Sequence, residues 1–497
     1  MNTNLSRAGL QRIAESPKSS GEICLIENKT NLREGWILLS VLAVLMVVGA
    51  YYLTSTYRMM SQVEMTRLMA VPITDYAPAK RAAKYYNGQM IPGLEPKSDN
   101  EVHLKSFDYV WKTIKDSYWE EDFGGVDWDQ AKAELRPKVE NAKDIKEVRK
   151  VMMELLSKLE KSHFAIIPGS AYKATQISRK GSADSGLTFR YSQQKVLVSA
   201  VRPGSDAEEQ GVKPGWQIIG VGDQDVPSFL DKAKSYKGVI RLETLIALRF
   251  GNSITGEVGE TKTCKFVDSD GNEKSVNLTL SDPPGKKVKF GNLPSMRIDM
   301  ESKLLDSNIG YFRFNGFFDP VRLMPAFRKA VKEYQDADGL IIDIRGNGGG
   351  MVGMTMGMAS PLTDKPAPLG VMKMKGNEMK LALFKNARPY QKKIAILVDE
   401  ASASASEIYA GGLQDLKIAR VFGRRTAGLS LPSTVEKLPN GDGFQYAFAN
   451  YTSASGRILE GNGVTPDETI VLTPKNLANE IDPTLKRAAA WIHAQDK

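Results

Sequence analysis

"VDEASASASEIYAGG", Val398 to Gly412, sets three serines in alternation with alanines between an apolar strand and a helix. The apolar run "KIAILV" before it suits a fully buried parallel strand, and "SEIYAGGLQDL" continues it as a helix. A serine at such a turn is exposed at the carboxyl end of a sheet. There the unpaired N–H groups of the first helical turn face developing negative charge. The same residues also suit an ordinary helix N-cap, and local physics does not choose among Ser402, Ser404 and Ser406.

Around this stretch, strand and helix alternate. "NIGYFRFNGF" reads as a strand, Pro320 opens a helix with Leu323, Phe327 and Val331 on one face, and "GLIIDI" and "IARVFG" are further strands. This βαβ alternation predicts an α/β layer over 290–475. Within "GLIIDIRGNGGGMVG", Gly348, Gly350 and Gly353 satisfy G-x-G-x-x-G after a strand. A dinucleotide site needs an acidic residue at the end of the next strand, and "LGVMKMK" ends in lysines. No Gly-Lys-Ser/Thr is present for a P-loop. A glycine loop also presents bare backbone N–H groups to an oxyanion, which fits a nucleophilic serine.

The 497 residues suffice for two or three domains. The net charge of +9 is spread along the chain without a basic block, which argues against a nucleic-acid partner. Cys24 and Cys264 form no disulfide framework. With three histidines, His103, His163 and His493, they offer no metal-ligand spacing, so neither a metal nor an organic cofactor is implied.

Trp36 to Leu53, "WILLSVLAVLMVVGAYYL", is 18 residues without a charge, flanked by Trp36, Tyr51 and Tyr52. That length covers most of a bilayer's hydrocarbon core, and aromatic residues belong at its edges. The reading is an uncleaved signal anchor over 36–54, with a cytoplasmic segment 1–35 and a tether over 55–100. It places the protein in the cell (inner) membrane, single-pass, with its catalytic part on the periplasmic or extracytoplasmic side and the lipid bilayer as one partner.

Helical periodicity dominates 101–175. Phe107, Val110, Trp111, Ile114 and Tyr118 share one face. Asp144 and Glu147 have capping-box spacing ahead of the stripe Ile145, Val148, Met152, Leu155, Leu156 and Leu159. This second helix is expected to end near Lys161, leaving Ser162 and His163 at its edge. His493 is near the C-terminus and His103 opens the first helix, so His163 is the best-placed candidate base. Over 180–285 the texture changes to short strands and turns, with "ETKTCKFVDSDGNEKSVNLTL" a hairpin tipped by Asp-Gly. Residues 476–497 read as a C-terminal helix.

Taken together, "SASASE" after a buried strand, "LIIDIRGNGGG" upstream, "SH" after a helix and "EGNGVTPDETI" near the end resemble the C-terminal processing protease family. The branch of the tricorn-core peptidases is the most similar. The resemblance covers about 104–475 and implies a multidomain α/β (α+β) chain with a crotonase-like protease core. It also implies a serine peptidase acting on polypeptide substrates with accessible C-termini. In that family the middle serine of the run, here Ser404, is the nucleophile. The processing branch pairs it with a lysine, but "TAGLS" has Leu429 at the matching position, so a Ser-Lys dyad is not expected. By resemblance to the tricorn branch, His163 is the base, with Ser162 and Glu460 completing a tetrad. The oxyanion hole is then the N–H of Ala405 plus that of Gly348 or Gly349.

The 180–285 segment resembles a PDZ module. "GLTF", Gly186, Leu187, Thr188 and Phe189, matches its carboxylate-binding loop, and Trp216 departs from the aspartate common after Pro-Gly. Successive backbone N–H groups capture a peptide carboxylate in such a module while the peptide adds a strand. Two further readings are a non-catalytic ligand-binding protein on the same fold and a peptide-binding scaffold at the membrane. Both predict binding without hydrolysis.

Overall fold

Six strands build the central sheet in the order of the chain: β1 (Met300–Leu304), β2 (Ile309–Phe314), β3 (Gly339–Asp343), β4 (Lys393–Val398), β5 (Arg420–Gly423) and β6 (Glu468–Thr469). The first pair is antiparallel and the rest are parallel, with Ile341 of β3 opposite Ala395 of β4. Every residue of β3 is buried, as its unbroken apolar pattern requires of a strand covered on both faces. The computed structural model describes residues 99–171, 183–234, 240–479 and 482–494.

Three helices open the described chain: α1 (Asp99–Ser117), α2 (Trp128–Glu140) and α3 (Ile145–Ser157). Phe107, Val110, Ile114 and Tyr118 are buried in their common core, whereas Trp111 is half-buried and donates its indole N–H to the Trp128 carbonyl at 2.9 Å. Asp144 caps α3 by accepting the N–H groups of Lys146 and Glu147. Glu147 reaches back to the Lys143 N–H at 2.8 Å instead of to the cap residue. Such a cap is worth about 1 kcal/mol. Burial of Val148, Met152, Leu155 and Leu156 is worth about 1.5–3 kcal/mol each, so packing decides where α3 lies. The helix ends at Ser157 rather than near Lys161, because the chain turns through positive φ at Glu160 and again at His163. Ala165–Ile167 then pairs antiparallel with Gly443–Ala447, whose hairpin partner is Ser433–Lys437.

One ion pair fixes this helical layer on the hairpin. The Arg149 guanidinium of α3 grips the buried Asp442 carboxylate through two hydrogen bonds, at 2.7 and 2.9 Å, and the Gly169 N–H adds a third at 2.8 Å.

Residues 183–234 and 240–281 form an inserted β domain. Its sheet runs Leu187–Ser192, Lys195–Val201, Gln217–Val221, Thr261–Val267 and Glu273–Thr279, the last two being the expected hairpin. Leu187–Ser192 is an edge strand, and the helix Leu242–Ser253 packs against it. Cys264 is a buried free thiol in this domain's core.

In the central layer, α4 (Pro320–Glu333) follows β2, α5 (Val352–Ala359) follows β3 and α6 (Ala405–Asp415) follows β4. The C-terminal segment supplies a short helix, Pro474–Ala478, and α7 (Pro483–His493). Gly339 of β3 lies so close to α7 that a Cβ there would meet Ile492 at 2.6 Å. The "LGVMKMK" stretch does not continue the parallel sheet. Ala367–Met374 pairs antiparallel with Asn377–Leu383 and Ala449–Ser453 in a separate sheet. The nucleotide reading thus lacks its second parallel strand as well as its acid.

Residues 36–54 lie outside the described residues. Among the described residues, no helix is long and apolar enough to cross a membrane.

Candidate active site

The carboxyl ends of β3, β4 and β5 bring three loops together: Arg345–Gly350, Asp399–Ser404 and Arg424–Ser430. This is where open parallel sheets place ligands. The structure separates the three serines that the sequence leaves equivalent. The buried Ser402 hydroxyl donates to the Ile344 carbonyl at 2.8 Å and accepts the Asp399 N–H at 3.0 Å. The buried Ser406 hydroxyl donates to the Asn347 carbonyl at 2.8 Å. Ser404, half-buried, caps α6 at φ 56° and ψ −120°. That conformation is rare for a residue with a Cβ and places the side chain at a sharp strand-to-helix turn.

Glu407 holds this turn. Its buried carboxylate accepts the Ser404 N–H at 3.1 Å, the Thr426 hydroxyl at 2.6 Å, and the Gly428 and Leu429 N–H groups at 2.7 and 2.8 Å. Burial pushes the Glu407 carboxyl up to about 7 even with these donors on it. The Ser404 N–H also reaches the Leu429 carbonyl at 2.8 Å. Position 429, where a lysine would complete a dyad, therefore contributes its backbone to the serine turn.

Asn347 fixes the glycine loop against the same turn. Its side-chain oxygen accepts the Gly349 N–H at 2.9 Å, its amide donates to the Phe314 carbonyl at 3.1 Å, and its carbonyl accepts the Ala403 N–H at 3.0 Å. Gly349 has φ 99°, and a Cβ there would sit 2.7 Å from the Ser404 Cβ and 2.9 Å from the Ala405 nitrogen. Asn347 occupies the Gly349 N–H, while the exposed Gly348 N–H and the Ala405 N–H have no protein acceptor among the described residues.

Across the cleft, Glu460 accepts the Ser162 N–H at 2.8 Å and the Ser162 hydroxyl at 3.0 Å. Ser162 Oγ lies 2.7 Å from His163 Nδ1. Because the hydroxyl proton goes to Glu460, the oxygen accepts from Nδ1–H, which leaves Nε2 with its lone pair. His163 adopts φ 63°, and burial pushes its imidazole down to about 4, so it is neutral near pH 7. Glu460 Oε2 also accepts the Ser430 N–H at 2.9 Å. The segment Leu429–Ser430 thus touches Ser404 on one side and the Glu460–Ser162–His163 chain on the other. No hydrogen bond joins His163 to Ser404; Ser162 is the imidazole's hydrogen-bond partner. Gly428, at φ 75°, lets this segment press against the Gly461 backbone, which donates its N–H to the Gly428 carbonyl at 2.9 Å.

Comparison with known proteins decides what this arrangement belongs to. Residues 308–470 match the model of peptidase family S41, and residues 100–157 match the tricorn protease C1 domain. Together with carboxyl-terminal-processing relatives, these matches support the C-terminal processing protease family. The peptidase is 24% identical over 393 residues to a carboxyl-terminal-processing protease of Synechocystis, covering 78% of this chain and 84% of the relative. It is 24% identical over 396 residues to a probable CtpA-like serine protease of Staphylococcus haemolyticus, covering 78% of this chain and 68% of the relative. Its fold is similar to the solved photosystem II D1 C-terminal processing protease, at TM-score 0.51 and 22% identity, over 79% of this chain and 98% of the other. It is a serine peptidase of mixed α/β fold.

Three features of the peptidase escape a reading of the sequence. Asn347 and Glu407 act through contacts between distant loops. Arg190, from the inserted domain's edge strand, forms an ion pair with the buried Asp399 just before the serine run. Asp399 also accepts the Gly346 N–H at 2.9 Å, so it ties the inserted domain to both loops. Within "GLTF", the Gly186 N–H donates to Asp184 at 2.9 Å and the Leu187 N–H to the Ser185 hydroxyl at 3.3 Å. Phe189 is buried in the domain core, and Thr188 is exposed. A carboxylate at this loop has to displace the Asp184 and Ser185 side chains from the first two N–H groups. No cluster able to hold a metal ion occurs among the described residues.

Proposed function

We propose that the protein is a membrane-anchored endopeptidase in which Ser404 attacks the scissile peptide carbonyl and His163 Nε2 takes the hydroxyl proton. The imidazolium formed is stabilised through Ser162 by the Glu460 carboxylate. The N–H groups of Ala405 and Gly348 receive the developing oxyanion. His163 then returns the proton to the leaving amine, and water, activated by the same base, hydrolyses the acyl-enzyme. The anchor is the apolar segment 36–54, which sets the catalytic part outside the cytoplasm. The inserted domain acts as a PDZ module that takes substrate C-terminal tails at Gly186, Leu187, Thr188 and Phe189.

One observation carries this reading: the hydrogen-bonded chain from Glu460 through Ser162 to Nδ1 of a neutral His163. A carboxylate that orients an imidazole by way of a hydroxyl has its use where the far nitrogen must accept a proton. The missing bond from His163 to Ser404 belongs to the same reading. A tail held on the inserted domain, coupled through Arg190 and Asp399, brings the two together, which is induced fit.

A fluorophosphonate probe, applied to the full chain in neutral detergent with and without a tail peptide, tests both parts. Labelling is expected at Ser404, faster with the tail, and lost in Ser404→Ala and His163→Ala. Absence of labelling under all conditions returns the protein to the binding or scaffold reading.

A further inference from the structure

At the opposite edge of the central sheet, the amino ends of β4 and β5 border a solvent-open cavity of ≈ 670 Å³. β4 spans six residues, so the cavity lies about 20 Å from the Ser404 loop at 3.3 Å per strand residue. The candidate active site takes no part in it.

Its lining is strongly basic. Lys392, Lys393, Lys417 and Arg420 face it against a single carboxylate, Asp467. Asp467 is already engaged, accepting the Val421 N–H at 2.7 Å. Lys392 and Lys417 are exposed and have no ion-pair partner among the described residues. The Arg420 guanidinium lies 5.6 Å from the Phe422 ring and 5.7 Å from the Trp491 ring, which hold it in place. Its Nε is buried without an acceptor, and its other contact, to Glu468, is a loose 3.8 Å. Glu468 is itself held by Arg487. Folding has therefore set a guanidinium seated beside two rings, with only a loose contact to Glu468, next to two ammonium groups without ion-pair partners among the described residues.

We propose that this cavity is a binding site for a phosphate group, borne by a small molecule or a lipid headgroup. A lone carboxylate satisfies one of these cations. A phosphate offers two non-bridging oxygens and one charge as a diester, and three or four oxygens and up to two charges as a monoester or free ion, which match an Arg fork and flanking lysines together.

The test is calorimetric titration of the full chain in neutral detergent, at fixed ionic strength. One arm uses inorganic phosphate and the other glycerophosphoglycerol, the deacylated headgroup of an anionic lipid. Saturable binding of inorganic phosphate alone assigns a free phosphate ligand, and binding of the diester assigns a headgroup; either supports the site. Lys417→Gln/Arg420→Gln is expected to weaken binding by at least about tenfold. Because Arg420 packs between two rings, Lys392→Gln/Lys417→Gln, which alters exposed side chains only, is titrated beside it and is expected to weaken binding several-fold. No saturation of either ligand by about 10 mM, or unchanged affinity in both variants, overturns the proposal.

Discussion

Glu460 grips Ser162 twice, by its N–H at 2.8 Å and by its hydroxyl at 3.0 Å, although 298 residues separate the two in the chain. The hydroxyl contact commits the Ser162 proton to Glu460, which leaves Oγ to accept from His163 Nδ1–H. Ser162→Ala keeps the backbone contact and removes the link to the imidazole. It is expected to lower kcat by about 10²–10³-fold with KM little changed, as befits loss of an orienting group. Steady-state kinetics on a fluorogenic peptide measure this, and a kcat within about threefold of the natural enzyme speaks against the relay.

Gly348 and Gly349, equivalent in the sequence as candidate oxyanion donors, differ in their surroundings. Gly349→Ala drives a methyl into Ser404 and Ala405 at a left-handed φ, and a loss of activity of 10²-fold or more is expected. Gly348→Ala meets nothing within 4 Å and keeps its N–H, so activity is expected to stay within about fivefold. Equal losses in both variants contradict this difference in fit between the two positions.

Glu407 and His163 give the enzyme two titrations of opposite sense. The Glu407 carboxyl is raised from 4.5 to about 7, so the folded protein binds more protons than the unfolded chain between these values, and stability falls as pH rises through them. His163 is lowered from 6.5 to about 4, so here the unfolded chain binds more, and stability falls as pH drops through that window. Glu407→Gln removes only the first contribution. The melting temperature of the variant, relative to the natural protein, is expected to climb between pH 5 and pH 8. A difference that stays flat across this range shows that Glu407 is ionised throughout. Activity is expected to decline below pH 7 in the natural enzyme as Glu407 is neutralised, and to lack this limb in the variant.

Asp442, 1% exposed, is the anchor for the helix that leads to His163. Asp442→Asn leaves the Arg149 guanidinium facing a neutral amide. Breaking a buried pair costs about 3–5 kcal/mol, and since Arg149 is a quarter exposed we expect about 2–3 kcal/mol in urea unfolding. Arg149→Met/Asp442→Leu, which removes both charges, is expected to recover much of it. A single-variant loss under 1 kcal/mol means that the pair does not hold the helical layer.

Sequence pattern located most of what surrounds the site, and the reasons are local. Buried parallel strands announced themselves as apolar runs at β3 and β4, and Asp144 marked the start of α3. Helix α2 was not foreseen, since Pro137 interrupts the pattern of Trp128, Ala131, Leu135 and Val139. The strand Ala367–Met374 reads like its parallel neighbours, and only its pairing with Tyr451 and Thr452 shows that it leaves the sheet. The choice among three serines needed the partners of Ser402 and Ser406, both more than 50 residues away in Ile344 and Asn347. Periodicity carries no record of such contacts, because a single hydrogen bond between loops imposes no repeat.

Arg190 and Asp399 form another contact of this kind, 209 residues apart. Arg190→Met is expected to abolish the stimulation of kcat by a tail peptide while Ser404 still labels. Full stimulation in this variant excludes the pair as the coupling element.

The grip of Glu460 on Ser162 also sets a timetable for biosynthesis. Ribosomes add about 5–20 residues per second, so roughly 15–60 s pass between emergence of the imidazole and of the carboxylate that orients it. Throughout that interval Ser162 and His163 lack the carboxylate that binds them in the folded protein. The chain of contacts from Glu460 through Ser162 to His163 can therefore close only after residue 460 has been made, so the order of the residues itself delays its assembly.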